Sequence, residues 1–174
     1  MILTLDWRNR KDIYVMNNYL DFLKESVSFI DEVIIWKWPE RKVSLSDIEK
    51  VEKIWKVELP KELKDIVLKY NGASPQHSRP IRGIIIDKFI SFNLKDKYNV
   101  IKTLEWVKDR ISDLTFPFAE DAGGNLFCLK YKNKTDKVPK VVFWDHEESP
   151  EPNREGAISE IAKSFSDFMR IIGS

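Results

Sequence analysis

The sequence predicts an α+β fold, an antiparallel sheet with helices packed on one face, and two observations lead there. Apolar residues recur every three or four positions in the first third of the chain, near its middle and at its end. That is the period of helices with one buried side. Between these stretches lie short apolar runs separated by connections too brief for a crossover helix, which makes neighbouring strands antiparallel. Strands gathered between helices, instead of alternating with them, give a sheet with segregated helices.

Taken in order, Met16, Leu20, Leu23, Val27 and Ile30 share one face of a helix expected over residues 12–30, and Tyr14, Tyr19 and Phe22 widen that face. Residues 33–38, before Pro39, read as extended or irregular. Residues 1–43 are therefore expected to be a helical extension packed on the core, and residues 44–174 the main domain. Ser46-Asp47-Ile48-Glu49 fits a capping box, in which a serine oxygen and a glutamate carboxylate satisfy spare amide donors of the first turn. Ile48, Val51 and Trp55 then share a face. Pro60 opens the next helix where a missing N–H costs nothing. Leu63, Ile66, Val67 and Tyr70 form its stripe, and Asn71-Gly72 ends it, glycine accepting a left-handed cap.

Beyond the loop at 73–80 the period changes to that of strands, at Ile84-Ile85-Ile86 and Phe89-Ile90-Ser91-Phe92. A helix follows, with Val100, Ile101, Leu104, Val107 and Ile111 on one side. Three more strands are expected at 115–118, 125–131 and 140–145. They are joined by Asp121-Ala122-Gly123-Gly124 and by the polar loop 132–139. A last helix is expected to carry Ile158, Ile161, Ala162, Phe165, Phe168, Met169 and Ile172, with Gly173 as its stop.

Composition narrows the function classes. Lys and Arg total 29 against 28 Asp and Glu, a net charge of +1, so nothing draws the whole chain to nucleic acid or an anionic membrane. Purely apolar runs reach only four residues, as in Val33-Ile34-Ile35-Trp36, far short of the ~20 a membrane span needs. The start, Met1-Ile2-Leu3-Thr4-Leu5-Asp6-Trp7-Arg8, lacks the order of a signal peptide, so a cytoplasmic protein is expected. Cys128 is the single cysteine, which excludes an internal disulfide and a cysteine-rich metal site.

Glu120, Asp121, Asp145, His146, Glu147 and Glu148 come from two strand ends that would be neighbours in the sheet. Carboxylates with a histidine are the groups of metal binding or acid–base chemistry. That chemistry also needs convergent geometry, and solvated turn residues or hairpin caps are the simpler reading. Gly123-Gly124 precede a strand and not a helix, so they mark a turn with positive φ instead of a phosphate loop. Lys130, Lys132, Lys134, Lys137 and Lys140 crowd one hairpin around Tyr131. The footprint is small and interrupted by Asp136 and Pro139, and lysines there also guard a sheet edge. Residues 145–155 hold five carboxylates, Glu151 among them, against Arg154, and Pro150 and Pro152 stiffen the stretch. A stiff acidic loop beside Trp144 suits docking of a basic partner. The residues thus describe a binding module with no catalytic site, no cofactor and no metal.

Four segments occur in a telling order: Leu59-Pro60-Lys61-Glu62-Leu63 running to Tyr70-Asn71-Gly72, Phe116-Pro117-Phe118-Ala119-Glu120-Asp121-Ala122-Gly123-Gly124-Asn125, Val142-Phe143-Trp144-Asp145-His146-Glu147, and Ser164-Phe165-Ser166-Asp167-Phe168. Over roughly residues 44–172 this order resembles the SUKH superfamily, which holds the yeast cell-wall synthesis regulators of the Smi/Knr type and many bacterial immunity proteins. The resemblance implies the α+β fold, with residues 1–43 outside the usual core. It also implies a non-catalytic immunity protein that binds and occludes a cognate toxin domain, often a nuclease. Such a protein would be a monomer or weak homodimer, without direct nucleic-acid or membrane contact. The other function it implies is a regulatory scaffold of the cell-wall regulator type. The expected partner surface is Glu120, Asp121, Asp145, His146, Glu147, Glu148 and Glu151.

Overall fold

A computed structural model of the chain describes residues 34–148 and 157–174. The helix expected over 12–30 and the acidic residue Glu151 lie outside the described residues.

Two helices open the domain. Helix α1 (Leu45–Trp55) starts at Ser44, whose Oγ accepts the Asp47 N–H at 3.3 Å while the Asp47 carboxylate accepts the Ser44 N–H at 3.0 Å. The capping box is therefore Ser44–Asp47, two residues before the expected one. Val43 and Ile48, which flank it at the staple positions, are both buried. Helix α2 (Lys61–Tyr70) follows Pro60 and buries Leu63, Ile66 and Val67, as its stripe predicts. Gly72, at φ +71°, ends it where a Cβ would lie 2.7 Å from Glu40 Cγ.

Strand β1 (Ile35–Lys37) pairs antiparallel with β2 (Ser74–Gln76). Trp36 on β1 stacks on Tyr70 at 5.4 Å and meets the edge of Phe89 at 5.1 Å. The segment just before residue 44 is thus built into the domain. Strand β3 is short (Lys88–Phe89). The strand expected at 84–86 is a single bridge between Ile81 and Ile84, because Arg82 and Gly83 both take positive φ and turn the chain back at once. Helix α3 (Val100–Val107) is capped by Asn99, whose Oδ1 accepts the N–H groups of Ile101 and Lys102.

The main sheet joins β3, β4 (Thr115–Glu120), β5 (Leu126–Lys130), β6 (Lys140–Trp144) and β7 (Ile158–Ala162) in that order, every pair antiparallel. β7 corrects the expected last helix. Ile158, Ile161 and Ala162 fit a helical stripe, but Glu160 pairs with Val142 and holds Lys140 at 2.6 Å across the ladder. The final helix, α4 (Phe165–Gly173), begins only after Ser164, which accepts the Asp167 N–H at 3.1 Å.

The core sits between α4 and the sheet. Phe168 lies 5.4 Å from Phe118, 5.7 Å from Phe127 and 5.8 Å from Phe165. All four rings are fully buried, and each contributes about 1.5–3 kcal/mol by leaving water. Side chains alternate along β6, so Trp144 points away from the face on which Phe143 meets Phe127. Arg110, beyond α3, covers that second face with its guanidinium 5.2 Å from the Trp144 ring. Among the described residues no helix is long and apolar enough to cross a membrane.

Candidate functional site

The expected acidic residues gather at one end of the sheet, where the β4–β5 hairpin turns and β6 ends. Asp121 makes the hairpin. Its Oδ1 accepts the N–H groups of Gly123 at 2.9 Å and Asn125 at 2.8 Å, and Gly124 completes the turn at φ +87°. This is an Asx-type turn with the glycine that positive φ calls for.

Asn125 then ties this turn to the end of β6. Its Nδ2 donates to Asp121 Oδ2 at 2.9 Å, and its Oδ1 accepts the His146 N–H at 3.0 Å. His146 Nδ1 lies 2.8 Å from the same Oδ1. With the amide nitrogen committed to Asp121, that oxygen faces the ring, so the imidazole carries a proton on Nδ1. The His146 carbonyl accepts from the Arg110 guanidinium, which also stacks on Trp144. Asp145 folds the next residues over itself, its Oδ1 accepting the N–H of Glu147 at 2.9 Å and of Glu148 at 3.4 Å.

The result is a turn tied at Asp145 and His146, with the two glutamates, Glu147 and Glu148, exposed. The strand ends bring Asp121, Asp145, His146, Glu147 and Glu148 together. Glu120 stands apart. Its carboxylate accepts from the Tyr98 hydroxyl and pairs with Lys88 at 3.3 Å, its partner across the β3–β4 ladder. Burial, and then the neighbouring carboxylate, pushes the Tyr98 phenol well above its ordinary range, so it stays a neutral donor. Glu120 is thus tied into the domain, while Glu147 and Glu148 face water.

Sequence reasoning passed over three residues here. Asn125 was legible only as the last letter of a turn, since its partner lies 21 residues on. Arg110 gave no signal, because its contacts depend on where α3 ends. Trp106 did give one: it falls off the stripe of Val100, Ile101, Leu104 and Val107, and it is 64% exposed.

Among the described residues no three of His, Cys, Asp and Glu form a group able to hold a metal ion. The lysine hairpin is largely committed: Lys130 donates to Ser112 Oγ at 2.6 Å, Lys137 pairs with Glu58 at 3.4 Å, and Lys140 with Glu160.

Comparison with known proteins agrees with this architecture. The SMI1/KNR4 family (SUKH-1) matches residues 42–171. The chain is also similar to the SPbeta prophage-derived uncharacterized protein YokK of Bacillus subtilis (strain 168), 27% identical over 135 residues. That similarity covers 64% of this chain and 65% of YokK, just under two thirds of the relative's length.

Proposed function

The chain belongs to the SMI1/KNR4 family (SUKH-1), and on that premise we propose that it is a bacterial immunity protein, acting in the cytoplasm, that binds a cognate polymorphic toxin domain and occludes it. Support comes from the resemblance of its four segments to the SUKH superfamily, which includes many bacterial immunity proteins, and from one structural observation. The acidic turn at 145–148 is held to the sheet end by Asn125 and Arg110. A surface fixed in this way loses little conformational entropy when a partner docks. Its exposed carboxylates suit a basic partner, such as the phosphate-binding cleft of a nuclease, through charge complementarity. In this reading the protein performs no reaction; it covers the toxin. Residues 1–43 are proposed as an extension of a SUKH-like domain spanning 44–174, its last part, β1, pairing with β2 of that domain.

The test is co-expression with the toxic domain encoded beside its gene. An immunity protein restores growth and co-purifies with that domain. A regulatory scaffold would leave the toxin lethal although the chain is folded and expressed.

A further inference from the structure

We propose that the outer edge of β7 docks an extended, acidic segment of a protein partner, which adds to the sheet as a further strand. This is a surface beyond the acidic turn at 145–148, since it selects the opposite charge. β7 ends the sheet order, with β6 as its neighbour. Among the described residues its outer side has no backbone partner, so the N–H and C=O groups there are open to another strand.

The two faces of this edge differ. Ser159 and Ala162 pair with Phe143 and Val141, on the face that α4 covers, while Glu160 pairs with Val142 on the other. On the α4 side the edge borders an open groove of about 500 Å³. Ile161, Ala162 and Lys163 form one wall, and Asp167, Arg170 and Ile171 the other. An added strand would send alternate side chains into this groove and over the side that carries Glu160. The groove, with two isoleucines and an alanine, accepts an apolar side chain.

Charge selects what lies on the other side. A hydrogen bond from Lys140, and then the charges of Lys140, Lys163 and Arg82, hold the Glu160 carboxyl below its ordinary range. The carboxylates of this surface are already committed, Glu160 to Lys140 at 2.6 Å and Asp167 to Arg170 at 2.5 Å. Lys163 and Arg82 are exposed, and neither forms an ion pair among the described residues. They are cations in excess, so carboxylates on an arriving strand meet them without displacing an existing pair. A second copy of the chain would bring the same excess of positive charge and be repelled, as lysine at a sheet edge does in guarding against self-pairing.

The test uses the full chain and a labelled synthetic peptide in which glutamate and valine alternate, with binding followed by fluorescence anisotropy at low salt. The peptide should bind at least about 10-fold more tightly than one with lysine in place of glutamate, because charge complementarity rejects the wrong partner. N-methylation of alternate peptide amides removes strand donors and leaves the charge, and it should abolish binding. Lys163→Glu combined with Arg82→Glu should weaken binding at least about 10-fold, while Lys53→Glu, exposed on α1, should not. Bound peptide should slow hydrogen exchange of the amides at 158–162. No binding, equal binding of the lysine peptide, binding that survives N-methylation, or protection confined to other segments overturns the inference. So does self-association of the chain that the peptide competes away. Each of these results leaves the toxin-binding reading standing, since co-expression tests that separately.

Discussion

Asn125 and His146 meet twice, through the His146 N–H at 3.0 Å and through the imidazole Nδ1 at 2.8 Å, both on the one amide oxygen of Asn125. Because the amide nitrogen donates to Asp121, this side chain joins the two turns that carry the acidic residues. Asn125→Ala leaves Asp121 and His146 without their shared partner. It should cost about 1–3 kcal/mol in urea unfolding, the range for stranding polar groups that had hydrogen bonds. A loss below ~0.5 kcal/mol would mean that water replaces the amide.

Glycine should matter at the hairpin and matter more after α2. Gly124 has φ +87° but open space around a Cβ, so Gly124→Ala should cost only the left-handed backbone penalty, about 1 kcal/mol. Gly72 has φ +71° and a Cβ there would collide with both Glu40 Cβ and Cγ. Gly72→Ala should be the more damaging of the two, as comparison of their melting temperatures will show.

Leu63 is fully buried under α2. Leu63→Ala should destabilise by ~2–5 kcal/mol through lost transfer energy and the cavity left behind. Denaturant titration with an unchanged slope checks this.

How much of this was legible in the sequence follows from the range of the contacts involved. The stripe of α2 and the β4–β5 turn depend on neighbours in sequence, and they read correctly. Residues 158–162 did not, because Ile158, Ile161 and Ala162 satisfy a helical period while the pairing of Glu160 with Val142 is a tertiary fact. Glu120 and Asp121 are adjacent in sequence and looked alike. Only β3 and Tyr98, placed by the fold, separate a committed carboxylate from one that shapes a turn.

Asp47 gives a pH signature. Hydrogen bonds from Ser44, first through its side chain and then its backbone, with help from Lys50, hold its carboxyl down to about 2. A depressed folded pKa means stabilisation that is complete above the ordinary aspartate range and is lost as pH falls toward about 2. The difference in melting temperature between the parent and Asp47→Asn should be constant above about pH 5 and shrink steadily below it. A difference that persists unchanged to pH 2 contradicts the capping box.

Glu147 and Glu148 are exposed, so reversing both to lysine should leave stability within about 0.5 kcal/mol. Association with the toxic domain should slow about 10-fold at low salt, with a smaller change in dissociation, because exposed charges act by steering. Raising salt should close the gap as the charges are screened. An unchanged association rate at low salt would move the interface away from this turn.

The central claim is tested most directly by titrating the purified chain into the purified toxic domain while following that domain's enzymatic activity. Occlusion predicts activity falling in proportion to added chain and vanishing at equimolar amounts. Full activity in the presence of excess folded chain would contradict it.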